Sequence, residues 1–197
     1  MLNNNISNKK IKLNNMTNNN TRLNEIILIT GNINKLYEFK HIIPNIINKK
    51  MDLPEIQSIN VEDVIKEKVK YAYDKLQTPV ICEDTGLYIN DMNGFPGALI
   101  KFYYDSIGND GICKYNNNSK ATIKTVIGFY DGTLFKMFIG EIDGKIENEP
   151  KGTNGFGWDS IFEYNNKTLA EMSIDEKNII SSRSKAIYDM QNYFEKN

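Results

Sequence analysis

Pro79-Val-Ile-Cys-Glu83-Asp84-Thr85-Gly86-Leu87-Tyr-Ile-Asn-Asp-Met-Asn-Gly94-Phe-Pro96-Gly97-Ala-Leu-Ile-Lys101-Phe102 carries the densest run of polar chemistry in this chain. A short apolar run, Pro79 to Cys82, stops at two adjacent carboxylates, Glu83 and Asp84, with a hydroxyl and a glycine directly after. Apolar runs of that length bounded by turn residues read as buried strands. In α/β sheets ligands gather beyond the carboxyl ends of strands, where this run delivers Glu83 and Asp84. A flexible loop then holds Gly94 to Gly97 and returns a cation, Lys101, to the same neighbourhood. Acid pair, hydroxyl and lysine together suit a divalent metal with a phosphorylated ligand.

Upstream, Ile26 to Ile29 reads as a second buried strand, and Thr30-Gly31-Asn32-Ile-Asn-Lys35 as its turn into a helix. Leu36, Phe39 and Ile43 give that helix an apolar stripe, and Pro44 ends it. Gly31 and Asn32 tolerate positive φ, and Asn32 can cap the helix. The first amides, with Lys35 beside them, make a cradle for an anion. The spacing of a Walker A loop is missing. Asp52-Leu-Pro-Glu55 is extended, and Val61 to Leu76 is a second helix carrying Lys68. His41, the only histidine, lies mid-helix and is assigned no role.

Downstream, Phe102 to Tyr115 is predicted helical, and Asn116 to Ser119 a loop. Thr122 to Phe129 and Thr133 to Ile139 are β-rich runs around Asp131-Gly132, a hairpin signal. Asp143-Gly144 is predicted to turn the chain again. These antiparallel strands extend the sheet into a second lobe that covers the cleft. Gly152-Thr-Asn-Gly155-Phe156-Gly157-Trp158-Asp159 lets backbone approach a ligand closely and offers aromatic faces for a nucleobase. Asp159 is an acceptor for a base edge or a metal-bound water. Ser173 to Glu176 has capping-box spacing and opens the last helical region, which holds Lys177, Ser182 and Arg183. Arg183 falls on the apolar stripe with Ile187 and Met190, an inward cation that lines a cleft. Six residues separate Lys177 from Arg183, roughly 240° around a helix, so a break is predicted near Ile180 to Ser182.

The 197 residues suffice for one domain with a sizeable core, and 40% apolar with 25% charged is ordinary globular composition. A net charge of −1 and the lack of a basic stripe argue against nucleic acid as a partner. No apolar run approaches the roughly 20 residues that span a bilayer. Cys82 and Cys113 stand apart from any C-x-x-C or His/Cys cluster, as expected of free thiols in a reducing cytoplasm. Residues 1–22 are polar, with nine asparagines in the first twenty, and read as a disordered tail before a two-lobed domain over 23–197.

As an ordered set the motifs resemble those of the inosine triphosphate pyrophosphatase (Ham1-like) family. The matching pieces are Thr30-Gly-Asn-x-x-Lys35, Asp52-Leu-Pro-Glu55, Glu83-Asp-Thr-Gly-Leu87 and Gly94-x-Pro-Gly97-x-x-Ile-Lys101. Gly155-Phe-Gly-Trp-Asp159, Ala170-Glu-Met-x-x-x-Glu-Lys-Asn178 and Ser181-x-Arg183 complete the set. The resemblance implies an elongated α/β fold, with a mixed sheet, flanking helices and two lobes around a nucleotide cleft, as a homodimer. It implies Mg²⁺-dependent hydrolysis of ITP, dITP or XTP to monophosphate and pyrophosphate, which cleanses the nucleotide pool.

By the same resemblance Thr30 to Lys35 hold phosphates, Lys68 and Lys101 add charge to them, and Thr85 is a further substrate-binding residue. Glu55, Asp84 and Glu83 bind metal, with Asp84 as proton acceptor and Lys35 and Glu83 beside it in catalysis. Phe156, Gly157, Trp158, Asp159, Lys177, Ser182 and Arg183 enclose the base. One departure is visible: the family pattern ends in Ser-His-Arg, and here it is Ser181-Ser182-Arg183. Two other readings stay open at this point, a Maf-like nucleotide pyrophosphatase of other base specificity and a nucleotide-binding protein of weakened catalysis.

Overall fold

A computed structural model describes residues 25–196. The tail expected over residues 1–22 lies outside them. The described residues form a mixed α/β fold around one eight-stranded sheet. Its strands are β1 (Ile27–Ile29), β2 (Ile47–Lys49), β3 (Val80–Ile89), β4 (Pro96–Gly97), β5 (Lys120–Tyr130), β6 (Phe135–Ile146), β7 (Phe162–Tyr164) and β8 (Lys167–Thr168). The order across the sheet is β2-β1-β3-β5-β6-β7-β8, with β4 paired to β3 off that path. Five helices flank it: α1 (Ile33–Ile42), α2 (Val61–Leu76), α3 (Ile100–Asn116), α4 (Ile174–Ile180) and α5 (Ser182–Lys196).

β2, β1 and β3 are parallel, whereas β3, β5 and β6 form an antiparallel meander. The parallel part is short. Ile29 of β1 pairs with Cys82, the last β3 residue in that parallel pairing; further along the same edge β4 pairs antiparallel with Leu87 and Tyr88. β3 does not stop at Glu83 and Asp84, as the sequence suggested; it runs on to Ile89, paired with β5. Leu87 and Ile89 are fully buried, and their burial keeps the strand in the sheet past the polar residues. The two acids therefore stand inside a strand, at the point where its parallel neighbour ends.

Alternation along β3 sends successive side chains to opposite faces of the sheet. Ile81 packs with Phe39 of α1 and Ile187 and Met190 of α5. Val80 and Cys82 pack with Val61, Ile65 and Val69 of α2. A third apolar group, with Leu87, Ile89, Ile112, Ile142 and Phe162, fills the far end beneath α3. Cys82 and Cys113 are both free and buried.

The Asp131-Gly132 hairpin is present, with Asp131 Oδ1 accepting from the amides of Thr133 and Leu134. Asp143-Gly144, expected as a turn, instead lies inside β6, paired with Thr122 and Ala121. Gly144 serves close approach there: a Cβ on it would stand 2.2 Å from the Glu163 carbonyl oxygen. β2 was not anticipated, because Ile47–Lys49 is too short to show a pattern. The expected break in the last helical region is present at Ser181, whose φ of −62° and ψ of 148° are extended. α4 ends before it and α5 begins after it.

Candidate active site

Glu83 and Asp84 face opposite sides of the sheet, and two groups of charges form around them. On the α2 side, Lys68 Nζ donates to Asp84 Oδ2 at 2.7 Å and to Glu55 Oε1 at 2.9 Å. Lys68 is buried despite its mid-helix position, while the Glu55 side chain is 57% exposed. Burial alone would lower the Lys68 pKa; Asp84 and Glu55 outweigh it and raise the pKa above the usual lysine value.

On the other face, Glu83 meets Arg183 of α5. Arg183 Nε donates to Glu83 Oε1 at 3.2 Å and Nη2 to Thr85 Oγ1 at 3.2 Å. Thr85 Oγ1 donates in turn to Glu83 Oε1 at 2.7 Å. Burial would raise the Glu83 pKa, but Arg183 and Lys35 hold it down to about 2. Glu83, with Glu38 of α1, keeps Arg183 charged in spite of its burial.

Lys35, at the start of α1, reaches over the end of β1 and joins the two groups. Its ammonium is 2.9 Å from Glu83 Oε2 and 3.8 Å from Asp84 Oδ1. The contact to Oε2 is one of charge; the aligned hydrogen bond goes to the Glu83 carbonyl oxygen at 3.4 Å. Asn32 caps α1, its Oδ1 accepting from the amides of Asn34 and Lys35. Two of the amides expected to cradle an anion thus already have a partner, and the Thr30 hydroxyl accepts a third, from Asn32.

At the far end of the cleft, Lys177 of α4 donates to Asp159 Oδ2 at 2.7 Å and to Glu38 Oε1 at 3.1 Å. Phe156 lies against both cations, its ring centroid 4.7 Å from Lys177 Nζ and 5.8 Å from the Arg183 guanidinium carbon. Asp159 Oδ2 also accepts from the Phe156 amide at 2.8 Å, tying the glycine-rich turn to Lys177. Trp158 is half-buried against the third apolar group and still borders the cleft.

Glu38 was not foreseen. It sits on α1, buried, and accepts from Lys177 through one oxygen and from Arg183 through the other. Burial would raise its pKa; Arg183 and Lys177 lower it. A signal existed: Glu38 follows Lys35 by one helical turn and immediately precedes Phe39 of the apolar stripe.

The charged groups other than Glu38 line one cleft of about 580 Å³, which Thr30, Gly31 and Gly157 also border; Glu38 lines a neighbouring pocket that shares Phe156 and Lys177 with it. Lys101 stands at its mouth, 73% exposed and paired with Asp105 at 2.6 Å. Ser182 borders the cleft but is buried, its hydroxyl 2.8 Å from that of Thr125 inside the sheet. His41 remains a surface residue. Among the described residues, no three His, Cys, Asp or Glu side chains gather as a ready-made metal cage.

The Ham1 family model matches residues 26–193. The chain belongs to the Ham1 family. It is 42% identical over 177 residues to the inosine triphosphate pyrophosphatase of Neurospora crassa, covering 85% of this chain and 91% of that one. It is 38% identical over 183 residues to the dITP/XTP pyrophosphatase of Methanopyrus kandleri, covering 88% and 97%. Among solved structures, a HAM1 protein from Coxiella burnetii superposes with a TM-score of 0.75 at 26% identity, covering 87% of this chain and 98% of that one.

Proposed function

We propose that this Ham1 family member is a Mg²⁺-dependent pyrophosphohydrolase that converts deaminated purine nucleoside triphosphates, ITP, dITP and XTP, to monophosphate and pyrophosphate. The observation that carries the reading is the Lys68 ammonium held between Glu55 and Asp84, with the Lys35 ammonium 3.8 Å from the other oxygen of Asp84. Two carboxylates from separate segments converge there on one positive charge. A hard divalent cation suits the same pair of oxygen donors, and Mg²⁺ commonly takes one or two carboxylates with substrate phosphates completing its shell. Glu55 and Asp84 would hold it; Glu83 is committed to Arg183 and Thr85. When bound, the ion supplies charge neutralisation for the triphosphate and lowers the pKa of water.

Charge balance supports the same conclusion. Lys35, Lys68, Lys177 and Arg183 already face Glu38, Glu55, Glu83, Asp84 and Asp159, four cations against five carboxylates. A triphosphate with about four negative charges needs lysines released from those carboxylates, and a cation on Glu55 and Asp84 frees Lys68 to meet it. Asp84 is 18% exposed against 1% for Glu83, so Asp84 is the acid that reaches water in the cleft. It orients that water toward the phosphorus and takes its proton, while Lys35 and Lys68 stabilise charge on the departing pyrophosphate.

The base goes to the Phe156 end. Arg183 has five N–H donors and Lys177 three, so both keep donors beyond their carboxylate partners. A 6-oxo purine offers an acceptor to those donors, and adenine offers an amino group that leaves them unpaired. Such a mismatch discriminates by orders of magnitude. A homodimer in the cytoplasm is part of the same reading. The test is release of pyrophosphate, as opposed to orthophosphate, from ITP, XTP, GTP and ATP with and without Mg²⁺. Orthophosphate as the sole product, or equal rates on ITP and ATP, would sink the assignment.

A further inference from the structure

Thr125 lies at the middle of β5, fully buried, and no motif in the sequence points to it. It stands directly opposite Thr85 on β3 and Gly140 on β6, so the three share one face of the sheet. Gly140 brings no side chain to that face. A Cβ there would stand 1.9 Å from the Ser182 carbonyl oxygen and 2.8 Å from the Ala186 nitrogen. The first turn of α5 therefore settles onto the sheet at Gly140, and Ser182 reaches Thr125.

The result is a line of three hydroxyls. Ser182 Oγ is 2.8 Å from Thr125 Oγ1, Thr125 Oγ1 is 2.8 Å from Thr85 Oγ1, and Thr85 Oγ1 is 2.7 Å from Glu83 Oε1. Distance alone leaves the direction of the first two bonds open, but the end of the line fixes it. Glu83, paired with Arg183 and Lys35, is an ionised carboxylate and accepts only. Thr85 must give it its single proton. Thr85 then only accepts, from Arg183 Nη2 and from Thr125, so Thr125 donates to Thr85. By the same count Ser182 donates to Thr125. The three O–H dipoles point the same way, toward Glu83, and polarise one another.

We propose that Thr125 is a positioning residue: through Thr85 it fixes the Glu83 carboxylate at the one place where it meets both Lys35 and Arg183. Glu83 links the lysine on the phosphate side to the arginine on the base side, so its placement sets their separation. Ser182, with its proton committed to the sheet, is the start of this line and supplies no donor to a base. The inference rests on the pyrophosphohydrolase reading above and adds residues to it.

The test uses the purified full chain with ITP and Mg²⁺, measuring kcat and KM by pyrophosphate release, with Tm recorded alongside. Thr125→Val keeps the shape and removes the hydroxyl; Thr125→Ser keeps the hydroxyl. The expected result is about a tenfold loss in kcat/KM for Thr125→Val and recovery to within about twofold by Thr125→Ser, the scale of one buried hydrogen bond. Ser182→Ala is expected to lose about threefold by itself, and the double variant to lose no more than Thr125→Val alone, since the line is already cut. Unchanged kcat and KM in Thr125→Val with only a lower Tm, or additive losses in the double variant, overturns the proposal. If Thr125→Val does not fold, Ser182→Ala decides: an unaltered kcat/KM overturns it and a loss supports it. A wild-type chain that releases no pyrophosphate from ITP refutes the functional reading itself, and the catalytic role of the line with it.

Discussion

Glu38 and Arg183, 145 residues apart in sequence, form a buried ion pair that reaches the cleft through Arg183. The second oxygen of Glu38 holds Lys177, so one carboxylate sets the position of both cations that lie against Phe156. Removing one member of a buried charge group leaves the others uncompensated, which is costly. Glu38→Leu should lower unfolding free energy by about 3 kcal/mol in urea titrations, the usual size for a broken buried pair. Glu38→Gln, which still accepts a hydrogen bond, should lose about half as much. Equal stability of both variants and wild type would show that Arg183 is satisfied by Glu83 alone.

Acid should weaken the protein through the same groups. Glu83 falls from an ordinary 4.5 to about 2 in the folded chain, and Glu38 is lowered as well. A depressed carboxyl binds fewer protons folded than unfolded, so its contribution is complete above the unfolded value and vanishes as pH drops through the folded one. Tm should therefore hold steady above about pH 5 and fall between about pH 4.5 and pH 2. Glu83→Gln should start from a lower Tm and show a shallower acid limb. An identical slope in the variant would exclude Glu83 as a source of the acid sensitivity.

Asp84→Asn keeps the shape of the side chain and removes its capacity to take a proton. Turnover of ITP should drop by about 10²- to 10⁴-fold, the usual worth of a positioned general base. Nucleotide binding, measured by calorimetry with Mg²⁺ present, should persist. Loss of binding with the residual rate per bound complex unchanged would move Asp84 from proton acceptor to binding residue.

Gly140→Ala probes the seat of α5. The added methyl meets the backbone of Ser182 and Ala186, which have no flexible end to move aside. Overpacking of this kind costs about 1–3 kcal/mol. It should also reduce ITP turnover, because α5 carries Arg183. A stable variant of full activity would mean that the helix shifts freely on the sheet.

Much of this was legible in residue types and spacing. Glu83-Asp84-Thr85 announced a polar site, and the angle between Lys177 and Arg183 announced the break that Ser181 provides. Three things were hidden for physical reasons. Where β3 ends depends on the burial of Leu87 and Ile89 by other segments, so the strand appeared to stop at its acids. Gly144 looked like a turn, because a glycine that admits a neighbouring backbone and one that bends the chain are spelled alike. Glu38 and Thr125 gain their roles only from partners far off in sequence, and local pattern does not report those.

The single extended residue at Ser181 makes the interval from Lys177 to Arg183 a gauge of fixed length. An alanine inserted after Ile180 must be absorbed at that one extended residue or else displace Arg183 from Glu38 and Glu83, with every side chain still present. Chemistry here is therefore written in the count of residues as well as in their kind, and this short span can change its letters more readily than its length.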